Sequence, residues 1–239
     1  MRMLMPSHDV VRDDEISLRN RMVRIMQQVA TQGLARSSDG NLSARLTSKR
    51  YLITPSGIYK PDLEADDLIV IDENGQVVAG RPGLQPTSEI ALHLEVYQRR
   101  PEIGAVLHAH PPCATALTIV GIPFPMDFIP EAWLGLGEVV IAPYATPGTR
   151  ELALSVREAI RHSNVVLLSH HGSLTIGRTL PETLMLLERV EHTARTYLLA
   201  QAVGQPQPLP AERLAELRRL REQTAAPEAA AGSSASSNL

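Results

Sequence analysis

Two histidines stand one residue apart in the stretch VLHAHP, where an apolar run meets a pair of prolines. Residues two apart in a β-strand project to the same face, so His108 and His110 are predicted to point the same way. Imidazole is the commonest metal-ligating side chain in proteins, and catalytic zinc sites use three protein ligands and leave one position open for the substrate. The pair therefore predicts a metal site that still needs a third ligand.

A third ligand is expected from LLSHHGS, where His170 and His171 follow another apolar strand. Neighbouring strand residues face opposite sides, so the spacing leaves both candidates open. Gly172 is expected to let the backbone turn sharply beside a bound ion. An isolated H-x-H motif is more often incidental than ligating, but a second histidine cluster favours the metal site. The other histidines are interpreted as surface or helix-packing residues: His8, His93, His162 and His192.

Glu89 lies at the start of a helix that is predicted to open at Pro86-Thr87-Ser88 and to run to about Arg99. The helix dipole favours an anion at that position, and the preceding threonine or serine is expected to cap the helix. Two interpretations remain open on this pattern. Glu89 is either a capping-box glutamate or a catalytic carboxylate.

Three short polar turns offer backbone amides and small hydroxyl or amide groups, which are the groups that hold a phosphate or carboxylate oxygen. Each is an ordinary turn when taken singly. They are GNLS at 40–43, TPSG at 54–57 and PTS at 86–88.

The elements that must position these residues follow from the apolar periodicity. Strands that alternate with helices indicate a layered α/β domain, and hairpin-like pairs early in the chain indicate a mixed sheet. Helices are predicted at 14–33, 86–99, 112–120, 150–161, 181–203 and 210–222, and strands at 42–46, 51–54, 68–72, 76–79, 105–110, 139–144, 165–171 and 173–176.

The composition describes an ordinary globular protein of 239 residues, long enough for one sizeable domain. Its net charge of −3 gives no basic excess to attract nucleic acid. The single Cys113 excludes an internal disulfide and indicates a reducing compartment, and neither a membrane span nor a signal peptide is recognisable, so a cytoplasmic location is expected. We expect an N-terminal extension at 1–13, one domain at 14–224 and a disordered tail at 225–239.

The motifs GNLS, TPSG, PTSE, HAHP, APYATPGTREL and HHG, in this order, resemble the class II aldolase/adducin family over roughly residues 15 to 220. The resemblance implies a three-layer α/β/α sandwich around a mixed, largely antiparallel sheet. It also implies a homotetramer with active sites between subunits. The ligand that it implies is a phosphorylated small molecule, and the implied cofactor is one divalent metal ion per subunit, Zn²⁺ foremost, with Mn²⁺ or Co²⁺ as alternatives.

Carried over by position, the resemblance implies that His108, His110 and His171 are the metal ligands and that Glu89 is the acid and base. A cation would stabilise the enediolate that appears when a carbon–carbon bond breaks. The implied phosphate-binding residues are Asn41, Ser56, Gly57, Thr87 and Ser88.

The implied activity is cleavage of a ketose 1-phosphate to dihydroxyacetone phosphate and an aldehyde. Members that act on fuculose 1-phosphate use two tyrosines that this sequence lacks after the HxH helix and in the C-terminal helix. A less polar aldehyde, from a 5-deoxy- or 5-methylthio-pentulose 1-phosphate, fits that loss, and Phe128 and Trp133 are expected to line its end of the pocket. The alternatives are a decarboxylase of aromatic dicarboxylates, which an arginine cluster facing the pocket would favour, an epimerase, and a non-enzymatic assembly module.

Overall fold

A computed structural model describes residues 15–230 of the chain, with side chains described as far as residue 223. Its centre is an eight-stranded sheet in the order β4-β3-β2-β1-β5-β8-β7-β6. Every neighbouring pair is antiparallel except β6 and β7. The strands are β1 Asn41–Thr47, β2 Arg50–Ile53, β3 Ile69–Asp72, β4 Val77–Ala79, β5 Ala105–Ala109, β6 Val139–Ala142, β7 Val165–Leu168 and β8 Gly172–Gly177.

Helices cover both faces of this sheet, and neighbouring strand residues alternate between the two cores. Ile53 and Val106 pack on the side of α2 and α5, whereas Leu52 and Leu107 pack on the side of α1 and α6. This period of two confirms the three-layer arrangement around a mixed, largely antiparallel sheet. The helices are α1 Glu15–Thr31, α2 Ile90–Arg99, α3 Pro112–Ile119, α4 Pro130–Gly135, α5 Arg150–Ser155, α6 Leu180–Val203 and α7 Ala211–Ala230.

The helical predictions fail at four places. Helix α2 begins at Ile90 and not at Pro86, and its N-cap is Glu89 and not the expected threonine or serine. The proline-rich connection after α3 contains the short helix α4, whose Pro130 occupies the first turn, where a missing N–H costs nothing. The predicted helix at 150–161 ends at Ser155 and resumes as a 3₁₀ turn, Ala159–Arg161. Helix α7 continues to Ala230, so the first six residues of the expected disordered tail, 225–230, are helical.

The remainder of the predicted tail, 231–239, and the predicted N-terminal extension, 1–13, lie outside the described residues. Between residues 15 and 230, none of the helices combines the length and the apolar character needed to cross a membrane.

Candidate metal centre and active site

The two histidines of the HAH motif lie at the centre of the sheet, because β5 pairs with β1 on one side and β8 on the other. His108 is fully buried, and its Nδ1–H donates to the carbonyl of Ser173 at 2.9 Å. Its Nε2 therefore carries a lone pair, and this nitrogen lies 3.0 Å from Nε2 of His110. An outer hydrogen bond that fixes the ring tautomer is the usual arrangement behind a ligating histidine.

His171 joins this pair, and His170 does not. The ring of His171 lies 4.7 Å from that of His108 and 5.0 Å from that of His110, centroid to centroid. One nitrogen from each of the three rings falls within 4.8 Å of the others. His170 instead contacts Ser169 and the ring of Tyr144. The turn after β7 therefore brings His171, and not His170, to the two histidines of the HAH motif.

Gly172 has a different role from the predicted one. His170 makes the turn with a positive φ of 59°, while Gly172 lies in β8 directly against β5. A Cβ at residue 172 would lie 2.4 Å from the carbonyl oxygen of Ala109 and 2.9 Å from the ring of His110. Gly40 approaches β5 from the other side, where a Cβ would lie 2.9 Å from the carbonyl oxygen of His108. Both glycines let neighbouring backbone approach the histidine strand closely.

Glu89 is the N-cap residue of α2, but its side chain makes no capping hydrogen bond. Its backbone N–H donates to Oγ1 of Thr87 at 3.3 Å, and its carboxylate turns towards the sheet. Oε2 accepts from Nδ2 of Asn41 at 2.8 Å and lies 3.3 Å from Nε2 of His108. Oε1 lies 3.7 Å from Nε2 of His171. The capping-box interpretation of Glu89 is therefore wrong.

The chemistry of this donor set fits a divalent cation. Burial, followed by the nearby His171, lowers the pKa of His108 to about 3, and burial, followed by His108, lowers that of His110 to about 4. Burial also lowers the pKa of His171, so the rings are neutral at pH 7, the form that ligates metals. Within residues 15–223, Oε1 of Glu89 and Nδ1 of His171 are buried without a hydrogen-bond partner. A cation between the rings would satisfy the facing lone pairs.

A cavity of about 270 Å³ opens beside these residues. An isolated β-bridge between Pro55 and Pro86 holds two of its turns together. All five predicted phosphate-binding residues line the cavity, and among its described lining residues there is no lysine or arginine. The lining consists of Ser38, Asp39, Gly40, Asn41, Pro55, Ser56, Gly57, Thr87, Ser88, Glu89, His110, Pro147 and His171.

The aromatic residues expected at the aldehyde end do not line this cavity. Phe128 packs against Tyr197 at 4.8 Å between ring centroids, and Trp133 donates to Asp127 while Arg218 covers its ring. The sequence prediction also missed three lining residues, of which Asp39 places Oδ2 3.8 Å from Nδ1 of His110. The sequence did offer an indication that Asp39 lies at the site, because this residue immediately precedes the GNLS turn.

The interpretation of His93 as a surface or helix-packing residue is incomplete. His93 is fully buried and contacts Asn41 and Ser43 through its two ring nitrogens. The sequence spacing could have indicated that His93 lies near the site, because His93 follows Glu89 by four residues and therefore lies on the same helix face. His162 and His192 are exposed, as predicted. His8 lies outside the described residues.

A helix-covered mixed sheet that carries three neutral imidazoles, a carboxylate and a polar cavity defines an α/β/α protein with a candidate metal centre. The family described as Class II Aldolase and Adducin N-terminal domain matches residues 20–198. The chain belongs to this family, the class II aldolase/adducin family.

Two relatives and one solved structure illustrate the similarity. The 5-methylthioribulose-1-phosphate/5-deoxyribulose-1-phosphate aldolase of Rhodospirillum rubrum is 36% identical over 199 residues, covering 83% of this chain and 88% of that protein. The L-fuculose phosphate aldolase of Escherichia coli K12 is 36% identical over 177 residues, covering 74% and 80%. A solved L-fuculose 1-phosphate aldolase superposes with a TM-score of 0.76 at 32% identity, covering 91% of this chain and 98% of that one.

Proposed function

We propose that this protein is a metal-dependent aldolase that cleaves a ketose 1-phosphate to dihydroxyacetone phosphate and an aldehyde. The observation that carries the proposal is the position of Glu89. Its unpaired Oε1 lies beside the three-histidine cluster, and its residue lines a cavity of neutral hydrogen-bonding groups. The names of the two aldolase relatives support the same reaction class.

His108, His110 and His171 are the proposed ligands of one divalent cation per subunit, with Glu89 as an additional donor before substrate binds. Three imidazoles and one carboxylate suit Zn²⁺, and Mn²⁺ or Co²⁺ are the alternatives. When bound, the cation supplies a Lewis acid that stabilises negative charge on the substrate carbonyl oxygen during bond cleavage.

The phosphate group of the substrate is proposed to bind in the cavity, to Asn41, Ser56, Gly57, Thr87 and Ser88. These residues offer hydroxyl, amide and backbone N–H donors, and Thr87 and Ser88 precede the N-terminus of α2, where the helix dipole favours an anion. Phosphate recognition through neutral donors is consistent with the absence of lysine and arginine from the described lining.

Glu89 is the proposed proton carrier. In the cleavage direction the bond between C3 and C4 of the ketose breaks, the C4 hydroxyl gives its proton to the ionised carboxylate of Glu89, and C4 becomes the aldehyde carbon. The electron pair stays on C3, and Glu89 delivers a proton to that carbon to complete dihydroxyacetone phosphate. In the synthesis direction the same carboxylate removes that proton, as general acid–base catalysis requires.

The substrate is proposed to carry a 5-deoxy or 5-methylthio group, with fuculose 1-phosphate as the alternative. The first preference rests on the Rhodospirillum rubrum relative and on the sequence of α7, whose residues 211–223 contain no tyrosine. A less polar aldehyde needs no hydroxyl donor at that end of the site. No arginine lines the cavity within the described residues, and Arg45 instead lies over the rings of Tyr51 and Tyr97. The decarboxylase alternative therefore lacks the feature that would favour it.

A homotetramer with active sites between subunits, in the cytoplasm, completes the proposal. Several large apolar side chains are exposed in the single chain, at the end of α3, in the loop after β6 and on α6, and would be covered by assembly. They include Tyr144, Ile119, Val120, Leu199 and Val203.

A substrate panel tests the proposed function. Metal-loaded enzyme is incubated with 5-methylthioribulose, 5-deoxyribulose and fuculose 1-phosphates and with aromatic diacids, and triose phosphate and carbon dioxide are measured. We expect triose phosphate from a ketose 1-phosphate, lost on chelation and in Glu89→Gln. Carbon dioxide from a diacid, or no triose phosphate from any ketose, would reject the proposal.

A further inference from the structure

Glu89 and four other buried polar residues form one continuous line of hydrogen bonds. Glu89, His93 and Tyr97 are four residues apart and share one face of α2, and Asn41 and Ser43 are two apart and share one face of β1. Residues of the helix and residues of the strand alternate along the line of hydrogen bonds. Every member is at most 7% exposed, so water does not compete for these contacts.

The contacts follow one another without a gap. Nδ2 of Asn41 lies 2.8 Å from Oε2 of Glu89, and Oδ1 of Asn41 contacts Nε2 of His93. Nδ1 of His93 lies 2.7 Å from Oγ of Ser43. The same Ser43 oxygen lies 2.9 Å from the hydroxyl of Tyr97.

The donor and acceptor of each bond are fixed by the carboxylate at one end. An ionised carboxylate only accepts, so the Asn41 amide must present its NH₂ to Glu89 and its oxygen to His93. Nε2 of His93 must then carry the proton. Because burial lowers the pKa of His93 to about 3, the ring is neutral, and Nδ1 must accept from the hydroxyl of Ser43.

The direction of the last hydrogen bond, between Ser43 and Tyr97, follows from the protonation state of the Tyr97 phenol. Burial raises the pKa of Tyr97, so its hydroxyl keeps its proton and donates to Ser43. The order of donation runs from Tyr97 to Ser43 to His93, and from His93 through Asn41 to Glu89. Reversing any one bond leaves two acceptors or two donors facing each other, which is costly in a buried position.

We infer that His93 is a positioning residue, which as its Nε2–H tautomer holds the Asn41 amide in the orientation that binds Oε2 of Glu89 and leaves Oε1 free for proton transfer. Ser43 and Tyr97 select the tautomer. His93 touches neither the cavity nor the three-histidine cluster by hydrogen bond in the described structure, so it acts through Asn41. The inference rests on the proposed function in taking Glu89 as the proton carrier.

The alternative is that the line of bonds only stabilises the packing of α2 against β1. The two roles predict different kinetics. If His93 had only a structural role, its substitution would lower the thermal stability, and its effects on kcat and KM would not depend on whether Asn41 is present. A positioning His93 changes kcat through Asn41, so its effect disappears when Asn41 is already gone.

The variants are His93→Leu, which removes donor and acceptor, His93→Gln, which keeps one of each, Asn41→Ala, and the double variant of Asn41→Ala with His93→Leu. Each is measured for kcat, KM, metal content and melting temperature. We expect kcat to fall by about 10–100-fold in His93→Leu, the range for outer-shell partners, with nearly unchanged metal content and a change in KM no larger than that of Asn41→Ala. His93→Gln should recover part of that loss, and the double variant should match Asn41→Ala in kcat. Additive losses in the double variant would overturn the inference.

Nitrogen-15 NMR of histidine-labelled, zinc-loaded enzyme decides the tautomer without any substrate. The His93 signals are assigned by their absence from His93→Gln. We expect the Nε2–H pattern between pH 5.5 and 8, and a mixture of tautomers in Ser43→Ala. An Nδ1–H or doubly protonated His93 in the wild-type enzyme would overturn the inference even if the ketose panel succeeds, whereas failure of that panel alongside the expected tautomer would reject only the proposed function.

Discussion

Nε2 of His108 lies 3.3 Å from Oε2 of Glu89, and neither atom has a proton to place between them. The single N–H of the neutral His108 ring is used by Ser173, and an ionised carboxylate has none. Two lone pairs at this distance inside a protein repel unless positive charge lies beside them. The short distance between these two atoms therefore indicates a site that suits a cation. In our proposal the carboxylate of Glu89 gives up the cation and takes a proton from the substrate.

Glu89→Gln is expected to separate metal binding from turnover. The amide keeps the shape of the side chain but cannot accept and return a proton. We predict nearly unchanged metal content by elemental analysis and a loss of about 10²–10⁴-fold in kcat, the range for removal of a general acid–base group. Turnover close to that of the wild type would contradict the role given to Glu89.

His110→Ala tests the ligand assignment, and His170→Ala is its control. Both residues flank the metal-binding strands, but only His110 belongs to the cluster. We predict that His110→Ala loses more metal affinity than the ~10–100-fold typical of an outer-shell change and that His170→Ala retains full occupancy. Competition with a chromogenic chelator measures both. Equal affinities in the two variants would refute the assignment.

The lowered pKa values predict that metal binding releases few protons. Two histidines with an ordinary pKa of 6.5 would together hold about 1.5 protons at pH 6 and lose them to the metal. With values of about 3 for His108 and about 4 for His110, both rings are already neutral at pH 6. His108 and His110 should therefore add no pH dependence to metal affinity from pH 8 to about 5, and should weaken it only nearer pH 4.

Calorimetric titrations at pH 6 in buffers of different ionisation enthalpy measure the number of protons released. We predict a value below one on metal binding, because His108 and His110 release almost none and the pKa of His171 is also lowered. A release of about 1.5 protons would show that His108 and His110 titrate as exposed histidines do, in conflict with their burial.

Gly172→Ala is expected to disturb the centre, and Gly204→Ala is the matched control. A Cβ at residue 172 would meet the carbonyl oxygen of Ala109 at 2.4 Å, whereas a Cβ at residue 204 would meet nothing within 4 Å. Overpacking of this kind costs about 1–3 kcal/mol, and the strand movement that relieves it would displace His110. We predict a lower free energy of unfolding and weaker metal binding in Gly172→Ala alone. Equal denaturation midpoints for the two variants would contradict this reasoning.

Much of the architecture could be predicted from local pattern, because strand and helix periods are local properties of the sequence. Once a strand is recognised from its apolar run, alternating side-chain direction places Leu52 and Ile53 in opposite cores and His108 and His110 on one face. Helix α4 was missed because its six residues are too few to show a helical period.

The site was less predictable, since long-range contacts decide it. The choice between His170 and His171 depends on a positive φ at residue 170 that favours glycine or asparagine and that spacing does not reveal. The burial of His93 depends on β1 packing against α2, two elements that are far apart in the sequence. Trp133 was misplaced because its aromatic character indicates burial but not which neighbour covers it.

The most direct test of the account is an anomalous diffraction map from crystals of the zinc- or cobalt-loaded protein. We predict one strong peak per subunit at about 2.0–2.1 Å from a ring nitrogen of each of His108, His110 and His171, the range for bonds between zinc and histidine. A fully loaded crystal whose peak lies elsewhere, or whose His171 lies beyond bonding distance of the ion, would contradict the account.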